Sequence, residues 1–211
     1  MSSDLEGYVI YCKDTDKATP IGVASENYEC KATTDYIPNR LKEFLVEIED
    51  KRFYEHKGID YRGTTRALIE NIKARKIVQG GSTITQQLAR NLLNDNKKTI
   101  SRKLRETLKA IEIESQYSKD EILNLYFNNV YFGKNLSGLR TAGLYYFGKE
   151  VVELNQSELL YLLTILRGPN YYARRPEIAI SRFKFISNTL YKRNLISKNR
   201  NRKNLKSSLC L

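Results

Sequence analysis

Apolar residues recur at helical spacing along most of this chain. Leu41, Phe44, Leu45 and Ile48 fall at i, i+3, i+4 and i+7, which predicts a one-faced helix over 39–49 opened by Pro38. A second helix is predicted over 62–76 with Leu68, Ile69 and Ile72 inward. Gly80-Gly81 breaks the pattern. Thr83-x-x-Gln86 then has the form of a capping box, so a third helix begins at Ser82 or Thr83 with Ile84, Leu88 and Leu92 inward. Residues 99–117 read as a long helix with Ile100, Leu104, Leu108 and Ile111 as its stripe; Glu106 lies off that stripe, near Arg102, Ala110 and Ile113.

Ser118-x-x-Glu121 and Asn155-x-x-Glu158 are further capping boxes. The first opens a helix carrying Ile122, Leu125 and Tyr126. The second, with a hydrophobic staple from Leu154 to Leu159, opens a helix through Leu166 that is apolar nearly all round and therefore central. A short helix lies between Gly138 and Gly148, and Gly168-Pro169 stops the central one. Pro176 opens a last helix with Ala179, Phe183, Ile186 and Leu190 buried. Residues 1–35 are irregular apart from a hairpin of Tyr8–Tyr11 with Ile21–Val23. The pattern predicts a mainly α protein: an N-terminal segment at 1–35, one helical domain at 36–195, and a basic tail at 196–211.

The chain has 211 residues, enough for one good core, whole or divided into two lobes. Its net charge of +12 predicts an acidic partner: nucleic acid, an anionic membrane surface or a phosphorylated substrate. After Glu177 no acidic residue occurs among nine lysines and arginines, so the tail is drawn to anionic headgroups. Cys12, Cys30 and Cys210 form no even framework, and three unpaired thiols are the simpler expectation than a Cys12–Cys30 bridge. With one histidine, a zinc site is not expected. No window reaches the roughly 18 consecutive apolar residues of a membrane span, and residues 1–30 lack a signal peptide's apolar core. No helix-turn-helix, zinc or stacking-platform signature supports nucleic-acid binding.

The chemistry concentrates in Glu49–Asp60, which packs four carboxylates, the single histidine and a glycine into the end of the first helix and the turn after it. By itself such a run is a solvated helix end. Capping alone accounts for Thr83 and Gln86, and Arg102–Glu106 alone reads as an i, i+4 surface pair.

In combination these stretches resemble the signature blocks of glycosyltransferase family 51, the peptidoglycan polymerases that occur as monofunctional enzymes and as a domain of class A penicillin-binding proteins. Glu49-Asp50, Phe53, His56 and Gly58 match the first block, Gly81–Ile84 with Gln86-Gln87 the second, and Arg102-Lys103-x-x-Glu106 the third. Ile122–Gly133 matches the fourth and Leu166–Tyr172 the fifth, all in the family's order. Arg140 stands where an acidic residue is common, Arg90 replaces a usual lysine and Lys98 a usual arginine.

The resemblance implies a lysozyme-like, bilobal helical fold with a small membrane-facing lobe, to which apolar positions around 68–78 and 92–93 would belong. It implies polymerisation of lipid II into a β-1,4-linked glycan strand at the outer face of the bacterial cytoplasmic membrane, within a cell-wall synthesis complex. Glu49 would be the general base and Glu106 the second carboxylate. Asp50, Arg66, Ser82, Thr83, Gln86, Gln87, Arg90, Lys98, Arg102 and Lys103 would contact substrate. A divalent cation such as magnesium would shield the pyrophosphate, with Asp50 as candidate ligand; His56 would support the loop. An N-terminal anchor, usual in the family, is not visible, and a longer native chain with a following transpeptidase domain is compatible with the pattern. Ser181-Arg182-Phe183-Lys184 has the S-x-x-K form without companion motifs and is read as chance. Two other readings remain at this point: a lysozyme-like hydrolase using Glu49 and Glu106 as an acid/base pair, and a basic binding module with no activity.

Overall fold

In a computed structural model the described residues are 9–12, 19–23, 30–31, 33–76, 80–93 and 99–197, the strands before residue 33 in backbone only. The fold is mainly helical. The chain divides into two compact units, one formed by 1–44 with 127–211 and the other by 45–126.

The first unit begins with β1 (Val9–Cys12) and β2 (Thr19–Val23), an antiparallel hairpin pairing Val9 with Val23 and Cys12 with Thr19. The expected hairpin is therefore present. The side chains of Cys12 and Cys30 and the residues after 197, which include Cys210 and all of the expected tail except Ile196 and Ser197, lie outside what is described; Ile196 is buried. β3 (Cys30–Lys31) runs parallel to β4 (Leu136–Ser137). The segment after β3 is tied down by a reciprocal pair: Asn128 Oδ1 accepts from the Thr34 amide at 2.9 Å and Asn128 Nδ2 donates to the Thr34 carbonyl at 3.0 Å.

The core of this unit is α7 (Gln156–Leu166), whose Leu159, Leu160, Leu162, Leu163 and Ile165 are buried. Its start is built as the capping box predicts. Asn155 Oδ1 accepts from the Ser157 and Glu158 amides, and Glu158 Oε2 accepts from the Asn155 amide at 2.8 Å. α9 (Pro176–Lys192) packs on α7 through Ala179, Phe183, Ile186 and Leu190, as its spacing predicts. Between β4 and α7 lies α6 (Leu139–Phe147), where Arg140 finds its acid as a bidentate pair with Glu150, both bonds 2.9 Å. Gly168-Pro169 ends α7 and starts the short α8 (Pro169–Ala173).

α1 (Asn39–Glu49) is divided by the unit boundary; Leu41, Phe44 and Leu45 are wholly buried and Ile48 is half-buried. In the second unit a 3-10 turn at Phe53–Glu55 leads to α2 (Tyr61–Lys73), followed by α3 (Ile84–Leu93) and α4 (Ile100–Gln116). α5 (Lys119–Asn129) starts at the Ser118 box, with Glu121 Oε2 accepting from the Ser118 amide at 2.7 Å.

α2 is capped by Asp60, which accepts from the Gly63 amide at 2.8 Å and is gripped by Arg52. Burial acts to raise the Asp60 pKa, but the Gly63 amide, the Arg52 guanidinium and nearby His56 outweigh it and hold the carboxyl below its ordinary 3.8. A carboxyl whose folded pKa is depressed stabilises fully above the unfolded value and loses that contribution as pH falls through the folded one. Asp60→Ala is therefore expected to cost about 1–2 kcal/mol at neutral pH in urea unfolding. The gap to wild type should close as pH drops below 3.8.

Two helices face the other way from their expected orientation. Leu68, Ile69 and Ile72 on α2 are exposed, and Ala67 is the residue it buries. Leu92 at the end of α3 is also exposed, while Ile84 and Leu88 are buried as predicted. On α4 the stripe of Ile100, Leu104, Leu108 and Ile111 is 91, 60, 59 and 46 % exposed. The packed face is instead Glu106, Ala110 and Ile113, against α3. Ala110 and a glutamate whose charge is paired with Arg102 and Lys103 let α4 pack on α3, and the leucine stripe is left outside.

Candidate active site

The second unit joins the candidate residues through the first turn of α3. Thr83 and Gln86 form the predicted reciprocal cap: Thr83 Oγ1 accepts from the Gln86 amide at 3.1 Å and Gln86 Oε1 from the Thr83 amide at 3.2 Å. The same Thr83 hydroxyl donates to the Gly58 carbonyl at 2.7 Å, fixing the loop that follows Glu49. Gly58 has φ +85°, and a Cβ there would sit 3.0 Å from the Ala110 carbonyl oxygen, so both conformation and space require glycine.

Glu106 is 1 % exposed and takes Arg102 Nη1 at 2.8 Å on one oxygen and Lys103 Nζ at 2.6 Å on the other. Lys103 also donates to Ser82 Oγ at 3.0 Å and Gln86 Oε1 at 3.3 Å. Gln86 Nε2 reaches Thr107 Oγ1 at 3.3 Å. Arg102–Glu106 is thus no surface pair. It is a buried carboxylate shared by two cations, with excess positive charge at the more exposed Lys103 end. Arg102 Nε is buried with no hydrogen-bond partner among the described residues.

Glu49, the last residue of α1, is half-buried. Its charge is felt by Tyr126, whose hydroxyl donates to Gln87 Oε1 at 3.1 Å. Burial pushes the Tyr126 pKa far up; the Glu49 charge adds to this and Arg90 opposes it. Adjacent glutamines thus serve two groups: Gln86 the Glu106 cations, Gln87 the Glu49–Tyr126–Arg90 neighbourhood. Tyr126 and Thr107 were not among the expected site residues; the sequence reads the first as core and gives no signal for the second.

Asp50 is engaged within the protein itself. It is buried, both oxygens face His56 Nε2 at 3.0 and 3.1 Å, and Oδ2 also accepts from the Ile84 amide at 3.0 Å. Among the described residues no cluster of three or more His, Cys, Asp and Glu side chains has a metal site's arrangement. Asp50 is committed to the start of α3 and does not fit a divalent cation as it stands. His56 supports the loop. Arg66 lies on the exposed face of α2, beside Tyr61, Arg62, Thr65, Ile69 and Glu70, in a shallow open depression that shares no residue with the carboxylate network. Lys98 lies outside the described residues.

Comparison with known proteins bears on this arrangement. A family model described as transglycosylase matches residues 17–191. The chain is 44 % identical over 149 residues to penicillin-binding protein 1F of Bacillus subtilis (strain 168), covering 71 % of this chain and 21 % of that protein. It is 43 % identical over 143 residues to the monofunctional glycosyltransferase of Staphylococcus haemolyticus (strain JCSC1435), covering 68 % of this chain and 52 % of that one. With penicillin-binding protein 1A of Neisseria flavescens it shares 37 % identity over 191 residues, 90 % of this chain and 24 % of that protein. The chain thus spans about a fifth of the length of the penicillin-binding relatives it matches. By motif order and family match together, the chain belongs to the transglycosylase family, glycosyltransferase family 51.

Proposed function

We propose that this protein is a peptidoglycan glycosyltransferase that polymerises lipid II. The observation that carries the reading is the buried Glu106 between Arg102 and Lys103, with Ser82 and Gln86 completing the lysine's shell. A hydrolase of finished glycan has no diphosphate to hold. A transferase expelling one needs cations where negative charge develops. Lys103 is the more accessible of the two, and a phosphate oxygen can replace the Ser82 hydroxyl or the Gln86 amide in its shell.

In the proposed step Glu49 takes the proton of an acceptor sugar 4-hydroxyl. The oxygen bonds to the donor's anomeric carbon as the bond from that carbon to the diphosphate oxygen breaks. Undecaprenyl diphosphate leaves with the electron pair, and configuration inverts from α to β. Gln87, held by Tyr126, and Arg90 complete the acceptor side.

The outward apolar residues of α2, α3 and α4 suit a surface that rests in lipid at the outer leaflet of the cytoplasmic membrane, next to the lipid-linked substrate. No helix among the described residues is long and apolar enough to cross a membrane. The test is incubation with labelled lipid II in detergent beside labelled finished glycan. A ladder of lengthening products from lipid II, with the glycan left intact, is expected. Shortening of the glycan without a ladder would establish the hydrolase instead.

A further inference from the structure

Beneath the Glu49 loop the second unit contains a closed ring of polar contacts that the proposed chemistry does not use. Asp50 binds the His56 Nε2 at 3.0 Å, and the His56 carbonyl accepts from Lys119 Nζ at 2.6 Å. Lys119 donates to Glu114 Oε1 at 2.8 Å, which also accepts from Thr85 Oγ1 at 2.6 Å. Thr85 follows Ile84, whose amide returns to Asp50 at 3.0 Å. The ring ties the end of α1, the loop, α5, α4 and α3 together. The Lys119 ammonium also lies over the Phe53 ring, 4.4 Å from its centroid, so it holds the loop at two points.

The Phe53 ring packs edge-on against the His56 imidazole, with centroids 6.1 Å apart, and the hydrogen bond to Asp50 sets the orientation of the ring. A carboxylate only accepts, so Nε2 carries the proton; Nδ1 is buried with no hydrogen-bond partner among the described residues. The imidazole's grip on Asp50 therefore depends on how its backbone is held; Lys119 holds it at the His56 carbonyl, and Thr83 holds the same loop two residues on at the Gly58 carbonyl. Asp50 adjoins Glu49, so a shift of one turns the other.

We propose that Lys119, braced by Glu114, is a positioning residue for Glu49, acting through the His56 backbone; this rests on the reading of Glu49 as the base. Neither residue contacts the Arg102–Glu106–Lys103 cluster in any hydrogen bond described above, and misplacement of a base by about 1 Å can cost two orders of magnitude in rate.

The test uses E114Q/K119M, which removes the part-buried pair together and leaves no lone charge, beside K119R and Glu49→Gln. With lipid II, kcat of the double variant should fall about tenfold or more at a KM within about twofold of wild type. Its melting temperature should stay near wild type, and K119R should restore most of the rate. The lone histidine gives one set of imidazole nitrogen signals. They should show the Nε2-protonated tautomer in the wild type and averaging tautomers in the double variant. Wild-type kcat in the double variant, or an unchanged imidazole spectrum, overturns the positioning role. If Glu49→Gln polymerises like wild type, the base assignment fails instead, and the imidazole spectrum still decides whether Lys119 holds the ring.

Discussion

Glu49→Gln is expected to abolish the lipid II ladder, lowering kcat roughly a thousandfold, with the melting temperature and binding to anionic vesicles unchanged. The substitution keeps size and half-burial but removes the only function a base needs, a lone pair that accepts a proton at neutral pH. Retention of vesicle binding separates chemistry from attachment. A variant that polymerised normally would leave Glu49 a helix-end residue and favour the binding-module reading.

Glu106→Gln is expected to lower both activity and stability. Arg102 and Lys103 converge on a side chain that is 1 % exposed, and the amide can accept from one of them but cannot neutralise either. Polymerisation should drop at least about a hundredfold. Denaturant unfolding should show roughly 2–3 kcal/mol lost, less than for a fully buried pair because Lys103 reaches solvent. The two carboxylates are thus distinguishable: loss at Glu49 is catalytic only, loss at Glu106 is both. A stable, fully active Glu106→Gln would remove the cation cluster from the mechanism.

Much of this arrangement is legible without coordinates where the cause is local. Asn155 with Glu158, Ser118 with Glu121 and Thr83 with Gln86 announce three helix starts through side chains three residues apart, and all three caps are present. Pro176 and the spacing of Ala179, Phe183, Ile186 and Leu190 identify both start and buried face of α9. The pattern misleads on α4 because periodicity reveals that a helix has an apolar side, not what medium that side meets. Ile100, Leu104 and Leu108 point outward, and the face that packs contains a glutamate whose charge is hidden only because Arg102 and Lys103 come with it. The Lys119–His56 contact joins residues 63 apart in the chain and leaves no spacing to read. Asp50 is picked out as a site residue by the resemblance, but only its hydrogen bonds to His56 and the Ile84 amide reveal that it also ties the end of α1 to the start of α3.

On the proposed function, the outward leucines and isoleucines of α4 acquire a kinetic meaning as well. A protein resting on that face shares a plane with a lipid-borne substrate, so encounters follow from lateral search and depend on molecules per unit area. Bulk concentration then says little about turnover, and the identity of the surrounding lipids, through their packing and viscosity, becomes a rate variable.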